Sequence, residues 1–507
     1  MGDWLQAVSL AMGPSVLLSN FIGTAVGIII GALPGLTSTM GVALAVPLTY
    51  GMAPASGFAM LCGIYCGSVY GGAITAILIN TPGTPAGAAT TLDGYPMAQK
   101  GRAVEALGIA AISSFIGGLF SVAVLSFCAP ALAKVALSFG PAEYFSVMAF
   151  GITIISSISG KSMSRGLFAG LLGMFLGCIG TDPLTGYPRF ADGIPGLYNG
   201  IEIVPCLIGL FSFPQAIDMA VKAAKSSGAM NALTGKVPGI GEFARRWVNL
   251  LRSSIIGTFV GILPGAGTSI ATFLSYNEAM RFSKHNEEFG TGCIDGVIAT
   301  EASNNAVVGG SLVPLLTLGI PGNAVSAIFL GALTIQGLKP GPFLFQDQAP
   351  LIYSLFISLG VAHFFFLAIG LSGVKVFPRI LRLSPTVLSG GILILGTVGS
   401  YALRNEPFDI WVVLAFGLLG YFLKTIKTPT APVVLGFILG PMIEANYQQA
   451  MLIGDGRWAF FFEKPLSLTF IILAVISFVT PFILRWRKTR SAEALAAEAA
   501  QNEEEEL

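Results

Sequence analysis

Charged residues are scarce in this sequence. They make up 10% of its 507 residues, whereas soluble globular proteins carry about 25%. Hydrophobic residues supply 54%, so the composition excludes a soluble globular protein, whose surface is largely polar. Because the apolar runs are continuous rather than alternating, they argue against a transmembrane β-barrel. Glycine is abundant, with 64 residues, and small residues let membrane helices pack closely. The sequence therefore predicts an all-α polytopic membrane protein.

Histidine, cysteine and clustered basic residues are also scarce. The two histidines, His285 and His363, lie apart from the six cysteines, which are spread through apolar segments. A zinc or redox site is therefore not expected, and we predict no cofactor. With 27 basic and 26 acidic residues, the chain has no polybasic face for a nucleic acid. The N-terminus lacks the basic region of a signal peptide, so no cleaved leader is expected.

Enzyme motifs are missing as well. The stretch SGKS at 159–162 resembles part of a phosphate-binding loop, but Ile155 stands where that motif has its first glycine. Direct use of ATP is therefore not expected. With so few histidines, no Ser/His/Asp arrangement and no metal-ligand cluster can be assembled. We therefore predict that the protein is not an enzyme.

The apolar stretches predict about 10–12 membrane-spanning segments, since one crossing takes about 20 residues. An extra C-terminal span lies within 447–484, and the charged tail 485–507 begins with four basic residues. By the positive-inside rule, this C-terminal end is cytoplasmic. The loop 216–252 carries six basic and two acidic residues. It is predicted to be a cytoplasmic linker between two membrane regions, 1–215 and 253–446.

These two regions repeat one another. Residues 27–35 read GIIIGALPG and residues 257–265 read GTFVGILPG, and hydroxyl-bearing residues follow both. A second pair of blocks comes later, GGAITAILINTPGT at 71–84 and GGSLVPLLTLGIPGN at 309–323. Four matched blocks in the same order predict two repeats, each with a hairpin, a broken segment and further spans. The predicted bounds are 20–50 and 253–280 for the hairpins, 57–99 and 291–338 for the broken segments, and 105–215 and 350–446 for the spans.

The charges around the hairpins predict that the two repeats have inverted topology. Residues 1–99 contain no lysine or arginine, so the ends of the first hairpin are expected outside. Basic residues flank the second hairpin, which places its ends in the cytoplasm; they are Arg245, Arg246, Arg252, Arg281 and Lys284. Inverted repeats with re-entrant or broken helices place a binding site near the bilayer midplane, where the two halves meet.

The Pro-Gly turns of these blocks predict an anion site. Proline and glycine interrupt a helix, and the next helix begins with free N–H groups and the positive end of its dipole. Such a start can bind a carboxylate without a basic side chain. The alternative is that the turns are ordinary connecting loops. The predicted substrate-binding residues are Pro34, Gly35, Thr37, Ser38, Thr39, Thr84, Pro264, Gly265, Thr268, Ser269 and Asn323.

Polar residues near the turns predict a site for a coupling ion, either Na⁺ or H⁺. The amide oxygens of Asn80, Asn304 and Asn305 could ligate Na⁺, together with carbonyl groups that the helix breaks set free. Glu301 could carry a proton or balance a charge, and the alternative is a helix start in water with Glu301 at its cap. His363 is interpreted as a packed, neutral histidine.

Four stretches of the chain resemble one known family, the large membrane subunit (TctA-like) of the tripartite tricarboxylate transporters. They are GALPGLTSTMGVALAVPLTYGM, YGGAITAILINTPGTPAGAATTLDGYPMAQKG, GILPGAGTSIATFLSYNEAMRFSK and EASNNAVVGGSLVPLLTLGIPGN. The resemblance covers most of 20–345, and the family's glycine-rich motifs fall on 23–41 and 257–270. It implies a secondary transporter that imports di- or tricarboxylates such as citrate across the bacterial inner membrane, driven by an ion gradient. It also implies two partners, a small membrane subunit and a periplasmic solute-binding protein.

Three other functions stay open from the residues alone. The first is a membrane-embedded enzyme, which would need intramembrane catalytic residues that we do not find in the sequence. An anion channel would use the same turns but would not concentrate its substrate against a gradient. A carboxylate exporter or antiporter would use them in another direction, which the sequence does not distinguish from import.

Overall fold

The computed structural model describes residues 2–158, 163–182, 185–222, 236–265, 267–373, 377 and 384–480. Helices dominate this part of the chain, and short 3₁₀ helices lie at Pro85–Ala88, Pro195–Leu197 and Asn286–Glu288. The helices are α1 (Gly2–Ala11), α2 (Pro14–Ala32), α3 (Ser38–Thr49), α4 (Pro54–Ile79), α5 (Thr91–Gln99), α6 (Ala103–Ala136), α7 (Pro141–Ile158), α8 (Met163–Gly177), α9 (Ile203–Leu207), α10 (Phe213–Lys222), α11 (Ile240–Arg245), α12 (Trp247–Ile262), α13 (Gly267–Phe282), α14 (Ile294–Leu318), α15 (Ala324–Ile335), α16 (Leu344–Asp347), α17 (Ala349–Ser372), α18 (Pro385–Arg404), α19 (Pro407–Thr425), α20 (Ala431–Ile453), α21 (Phe460–Glu463) and α22 (Pro465–Thr480). A π-helical turn, Ile208–Ser212, joins α9 to α10. Strands β1 (Gly180–Thr181) and β2 (Pro188–Arg189) pair antiparallel, with Gly180 opposite Arg189.

Seven of the described helices are long and apolar enough to cross a membrane. They are α2, α4, α6, the continuous run of α9 and α10, α17, α18 and α19. Five shorter apolar helices accompany them, namely α3, α8, α12, α15 and α22. The prediction of an all-α polytopic membrane protein is confirmed. The seven long helices alone are fewer than the predicted 10–12 crossings, and the described long and shorter helices together number 12. The number of crossings therefore stays a prediction.

Parts of the predicted topology lie outside the described residues. They are the charged tail 485–507, the last residues of the predicted C-terminal span, the stretch 223–235 of the linker, and the SGKS stretch 159–162. The cytoplasmic assignments of the tail and the linker therefore stay predictions. The described part of the predicted region 447–484 contains the end of α20, the short helix α21 and the apolar helix α22.

Two helices, α4 and α14, form the centre of the molecule. Every residue of α14 from Gly296 to Thr317 is buried, and α4 is buried from Ala55 to Leu78 except at Met60. A helix that is buried around its whole circumference lies in the interior of the protein. α2, α17 and α3 pack around α4, and α6, α12 and α13 pack around α14. The breaks at the ends of these two helices therefore lie deep in the fold.

α2 packs against α4 in the same way as α12 packs against α14. A methyl group added to Gly27 would lie 2.6 Å from the carbonyl oxygen of Ile64, and one added to Gly257 would lie 2.3 Å from that of Ser303. Only glycine permits such an approach, because any side chain would push the two backbones apart. These contacts explain the glycines of the first pair of matched blocks and support the predicted repeat.

In the second pair of matched blocks, the close contact is made by different glycines of the Gly-Gly pair. The first glycine makes it in the first half, and the second glycine makes it in the second half. A methyl group added to Gly71 would lie 2.5 Å from the carbonyl oxygen of Ile28. The corresponding contact of the second half, 2.4 Å from the carbonyl oxygen of Thr258, belongs to Gly310. Gly309 faces α6 instead. The second block has one more residue between its Gly-Gly pair and its Pro-Gly turn, and this accounts for the difference.

Asp93 joins the two halves. It lies on α5, and its carboxylate accepts hydrogen bonds from the backbone N–H groups of Gly292 (2.8 Å) and Cys293 (2.7 Å), just before α14. It also accepts one from the hydroxyl of Tyr276 on α13 (2.9 Å). An acidic side chain at a helix N-terminus satisfies free donors and interacts favourably with the dipole. A methyl group added to Gly296 would lie 2.1 Å from this carboxylate, so glycine is needed there to admit it.

We expect Asp93→Ala to lower the free energy of unfolding by about 3 kcal/mol, because three donors lose their acceptor in a buried place. The measurement is the thermal unfolding midpoint of the purified full-length protein in detergent. Asp347→Ala is the control, since Asp347 is exposed on α16, and it should leave the midpoint unchanged. An Asp93→Ala protein that melts at the wild-type temperature would contradict this role.

Candidate functional site

The first helix break of each half lies at its Leu-Pro-Gly turn. In the first half the chain leaves α2 after Ala32 and enters α3 at Ser38, with Gly35 at φ +91°. In the second half it leaves α12 after Ile262 and enters α13 at Gly267, with Gly265 at φ +77°. Glycine adopts these left-handed conformations without steric cost. The sequence predicted a turn at these residues in both hairpins, and in the structure one helix ends and the next begins there.

The start of α3 is capped by a predicted site residue. The hydroxyl of Thr37 accepts a hydrogen bond of 3.2 Å from the backbone N–H of Met40. Other N–H groups of the first turn of α3 have no intrahelical acceptor, as at any helix start. The hydroxyls of Ser38 and Thr39 lie beside them. The first turn of α3 thus presents several hydrogen-bond donors.

The second break of each half follows α4 and α14. Asn80 ends α4 with φ +53°, and Gly319 ends α14 with φ +73°. Beyond these caps, Thr84 precedes the 3₁₀ helix Pro85–Ala88, and Asn323 precedes α15. The side-chain oxygen of Asn323 accepts a hydrogen bond of 2.8 Å from the backbone N–H of Ser326. These are the two breaks predicted from the second pair of blocks.

The two breaks of each half touch one another. A methyl group added to Gly83 would lie 2.0 Å from the carbonyl oxygen of Gly31, and one added to Gly322 would lie 2.5 Å from that of Gly261. In the second half the backbone N–H of Gly265 also donates to the carbonyl of Gly322 (2.8 Å). The glycine of each later Pro-Gly turn therefore lets that turn lie directly on the end of the hairpin helix.

The breaks of both halves line one cavity of about 440 Å³. This size is typical of small-molecule sites, which are about 300–1,000 Å³. It brings together most of the predicted site residues, namely Thr37, Ser38, Thr39, Thr84, Gly265, Thr268, Ser269, Asn304 and Asn323. The residues of the two repeats that were predicted to meet are therefore neighbours around a single space.

Five predicted residues do not line this cavity. Pro34, Gly35 and Pro264 shape the hairpin turns beside it, and Asn305 is buried in α14. Asn80 is exposed, and its backbone caps α4 in the left-handed conformation that asparagine tolerates better than most residues. The backbone conformation at this position explains why asparagine occurs there. Its amide does not line the cavity.

Sequence reasoning missed several residues that complete the lining. Tyr65 on α4 accepts a hydrogen bond of 2.9 Å from the amide of Asn323 at the start of α15. Gln215 on α10 and Lys424 on α19 also line the cavity, with Thr428 and Thr430 before α20. Gln215 lies beside the first hairpin turn, since its amide nitrogen would be 3.7 Å from a methyl group added to Gly35. No local pattern singles these residues out, because they come from helices far from the matched blocks.

The lining favours an anion. Among the described residues around the cavity, Lys424 is the one charged residue, and none is acidic. Three helices of 12 or more residues, α3, α13 and α15, begin at the cavity. Each helix start carries about half a positive charge. Hydroxyl and amide side chains from both halves surround these starts, so a carboxylate finds donors on several sides.

Two asparagines on α14 lack partners. Within the part of the chain that the structure describes, neither the oxygen nor the nitrogen of the Asn304 or Asn305 amide has a hydrogen-bond partner. Asn304 is 1% exposed and Asn305 is fully buried. An unsatisfied buried polar group costs about 1–3 kcal/mol. Asn304 lines the cavity, so its free amide points to a ligand there.

Glu301 lies one turn before these asparagines and does not line the cavity. Its carboxylate accepts hydrogen bonds from the hydroxyls of Thr90 (2.5 Å) and Ser114 (2.9 Å), and the side chain is fully buried. The alternative of a helix cap in water is wrong, because α14 begins at Ile294, two turns earlier. His363 is also fully buried, with Nδ1 2.6 Å from the carbonyl oxygen of Leu359.

Comparison with known proteins identifies the family. Residues 17–435 match the family model described as the tripartite tricarboxylate transporter TctA family. The chain belongs to this family. An uncharacterized 52.8 kDa protein of the TAR-I ttuC' 3' region in Agrobacterium vitis is 35% identical over 498 residues, which cover 97% of this chain and 98% of that protein. A protein of the TAR-II ttuC' 3' region in the same organism is 33% identical over 234 residues, which cover 46% of this chain and 97% of that protein. No solved structure matches the chain.

The match confirms the resemblance read from the sequence blocks. Together with the seven long apolar helices, it makes the chain a multi-pass membrane subunit of a tricarboxylate transporter. Membership of a tripartite family also implies a system that has other subunits.

Proposed function

We propose that this subunit carries a carboxylate across the bacterial inner membrane by alternating access, with the 440 Å³ cavity as its substrate site. The observation that carries this proposal is that the starts of α3, α13 and α15 meet around one space without an acidic side chain among its described lining. A di- or tricarboxylate such as citrate is the substrate class that this lining and the family description favour.

The two hairpins divide the binding between them. Free N–H groups and hydroxyls at Thr37, Ser38 and Thr39 donate to a carboxylate from one side, and those at Thr268 and Ser269 donate to the same carboxylate from the other. Because these donors are fixed by the helices, they replace the water that a carboxylate loses on entering the protein. Asn323 and Thr84 extend the polar surface between the two hairpins.

Movement of the two hairpins against the other helices gives access from alternate sides. The matched packing of α2 on α4 and of α12 on α14 supports two related halves, and the basic residues around the second hairpin support their inverted orientation. In transporters built from inverted repeats, the site lies at the interface between the repeats. The cavity fits this description, because residues of both halves line it.

We propose Na⁺ as the coupling ion, bound by the amide oxygens of Asn304 and Asn305 and by nearby freed carbonyls. The unpartnered amides of these buried side chains favour an oxygen-ligated cation. H⁺ is the second candidate, because Glu301 is a buried carboxylate. The predicted third ligand, Asn80, is exposed at the end of α4 and does not line the cavity, so we leave it out of this site.

The coupling ion can be determined with variants of these residues. We expect Asn304→Ala and Asn305→Ala each to raise the Na⁺ concentration for half-maximal uptake about tenfold, which corresponds to ~1.4 kcal/mol of lost binding. Asn286→Ala is the control, since Asn286 is exposed before α14. Uptake in Na⁺-free buffer that is driven by a proton gradient and lost in Glu301→Gln would assign the coupling to H⁺ instead.

The family's tripartite character supports two partners, a small membrane subunit and a periplasmic solute-binding protein that delivers the substrate. We place the C-terminal tail in the cytoplasm, because basic residues directly follow the last apolar stretch. A periplasmic protein that delivers the substrate favours import as the direction of transport.

Uptake into proteoliposomes tests the proposal. The complete transporter is reconstituted with the three components expressed together, and radiolabelled citrate and succinate are offered with and without an inward Na⁺ gradient. We expect accumulation above the external concentration only when the gradient is present. Equilibration without accumulation would indicate an anion channel, and accumulation only from the other face would indicate an exporter or antiporter.

A further inference from the structure

Lys424 lies at the edge of the cavity, in the last turn of α19. Its ammonium pairs with the carboxylate of Asp218 on α10. Gln215, one turn before Asp218 on α10, lines the cavity, as does Gly420, one turn before Lys424 on α19. The Lys424–Asp218 pair therefore joins two helices that both line the cavity.

The Lys424–Asp218 ion pair can open at low cost. The side chains of Lys424 and Asp218 are 41% and 21% exposed, and an ion pair this exposed contributes about 0–1 kcal/mol. The ion pair at the other end of α19 differs: Arg404, the last residue of α18, donates to the fully buried Asp409 through two hydrogen bonds of 3.1 and 2.6 Å. Lysine also has a flexible stem and three donors, so its ammonium can turn from Asp218 toward the cavity at low cost.

The charge of the cavity identifies what Lys424 recognises. The starts of α3, α13 and α15 together supply about one and a half positive charges, which is enough for one carboxylate. The hairpin side of the cavity thus binds a single carboxylate without help from a basic side chain. Lys424, which lines the cavity but does not belong to these helix starts, adds a full charge that has no counterpart in a monocarboxylate.

We propose that Lys424 is the specificity-determining residue that selects substrates with a second carboxylate, and that Asp218 holds its ammonium until such a substrate arrives. This inference rests on the proposed function, because it assigns a role within the same cavity. It makes Asp218 a competitor of the substrate. Loss of Lys424 and loss of Asp218 therefore have opposite effects on the binding of a dicarboxylate.

The test is calorimetric titration of the purified full-length chain with succinate, citrate and propionate. The wild type should bind succinate at least ten times more tightly than propionate. Lys424→Met should weaken succinate and citrate binding about tenfold and change propionate binding less than twofold. Lys424→Arg should keep most of the preference for succinate, and Asp218→Asn should strengthen succinate binding.

Lys427→Met is the matched control, since Lys427 is exposed three residues further on and does not line the cavity. Its affinities should equal those of the wild type. Equal weakening of succinate and propionate by Lys424→Met would overturn the inference. So would a loss of succinate affinity in Asp218→Asn together with a lower unfolding midpoint, since the pair would then be structural. A wild-type protein that binds none of the three carboxylates would contradict the proposed function itself.

Discussion

Ser269→Leu is expected to reduce citrate uptake about 100-fold or more, and Thr39→Leu is expected to do the same from the other half of the protein. A 100-fold loss corresponds to ~2.7 kcal/mol of substrate binding. The assay is initial uptake into proteoliposomes that contain the complete transporter.

The size of this effect follows from what each substitution changes. Ser269 and Thr39 lie in the first turns of α13 and α3 and line the cavity. A leucine there removes a hydroxyl donor and places an apolar side chain beside N–H groups that have no intrahelical acceptor. Both positions are only partly buried, so the larger side chain enters the cavity and not the packed interior.

A matched serine elsewhere controls for the substitution itself. Ser372 is exposed at the end of α17, and Ser372→Leu should leave uptake within twofold of the wild type. The unfolding midpoints of all three variants should stay close to that of the wild type. Wild-type uptake by folded Ser269→Leu and Thr39→Leu proteins would mean that the substrate does not bind in this cavity.

Gly31→Ala is expected to destabilise the protein by about 3 kcal/mol or more and to abolish uptake. A methyl group at this position would lie 2.1 Å from the carbonyl oxygen of Ser68 and 2.9 Å from the backbone nitrogen of Gly72. Overpacking of a well-packed interior costs about 1–3 kcal/mol when side chains can adjust. Here the obstacle is backbone, so α2 must move away from α4 and carry the first hairpin turn with it.

Two further glycines make this a graded test. A methyl group at Gly261 would lie 2.9 Å from the carbonyl oxygen of Val307, and one at Gly360 on α17 would meet nothing within 4 Å. The unfolding midpoint should therefore fall most for Gly31→Ala, less for Gly261→Ala, and not at all for Gly360→Ala. A Gly31→Ala protein as stable as Gly360→Ala would show that α2 and α4 do not pack in this way.

The helix breaks and their neighbours could be predicted from the sequence, because the signals are local. Proline and glycine act on the residues next to them, and a block that occurs twice excludes coincidence. Thr37, Ser38, Thr268 and Ser269 follow such blocks directly, and all four line the cavity.

Asn80 shows where local reasoning needed a further step. The two later blocks align at their Pro-Gly turns, and this alignment sets Asn80 beside Gly319. Both residues end a helix in the left-handed conformation. Glycine has no side chain that could bind a ligand, so the glycine at the equivalent position indicates that the backbone conformation is what both positions require. Comparison of the two repeats could therefore have explained Asn80 from the sequence.

The part of the cavity lining that comes from α10 and α19 could not be predicted, because it depends on how distant helices pack. Gln215 and Lys424 belong to α10 and α19, which have no matched block and no unusual composition. Their basic and polar residues are equally consistent with a cytoplasmic loop end. Only the packing of these helices against the hairpins brings their side chains to the cavity.

The contact of Asp93 with both Tyr276 and the start of α14 has a mechanical consequence. Because one carboxylate of the first half holds two helices of the second, we expect α5, α13 and the start of α14 to move together in the proposed transport cycle. The three residues that Asp93 holds lie outside α10 and α19, which line the same cavity. If the protein moves along the boundary between these two groups of helices, that boundary crosses the cavity, and a bound substrate would hold both sides together.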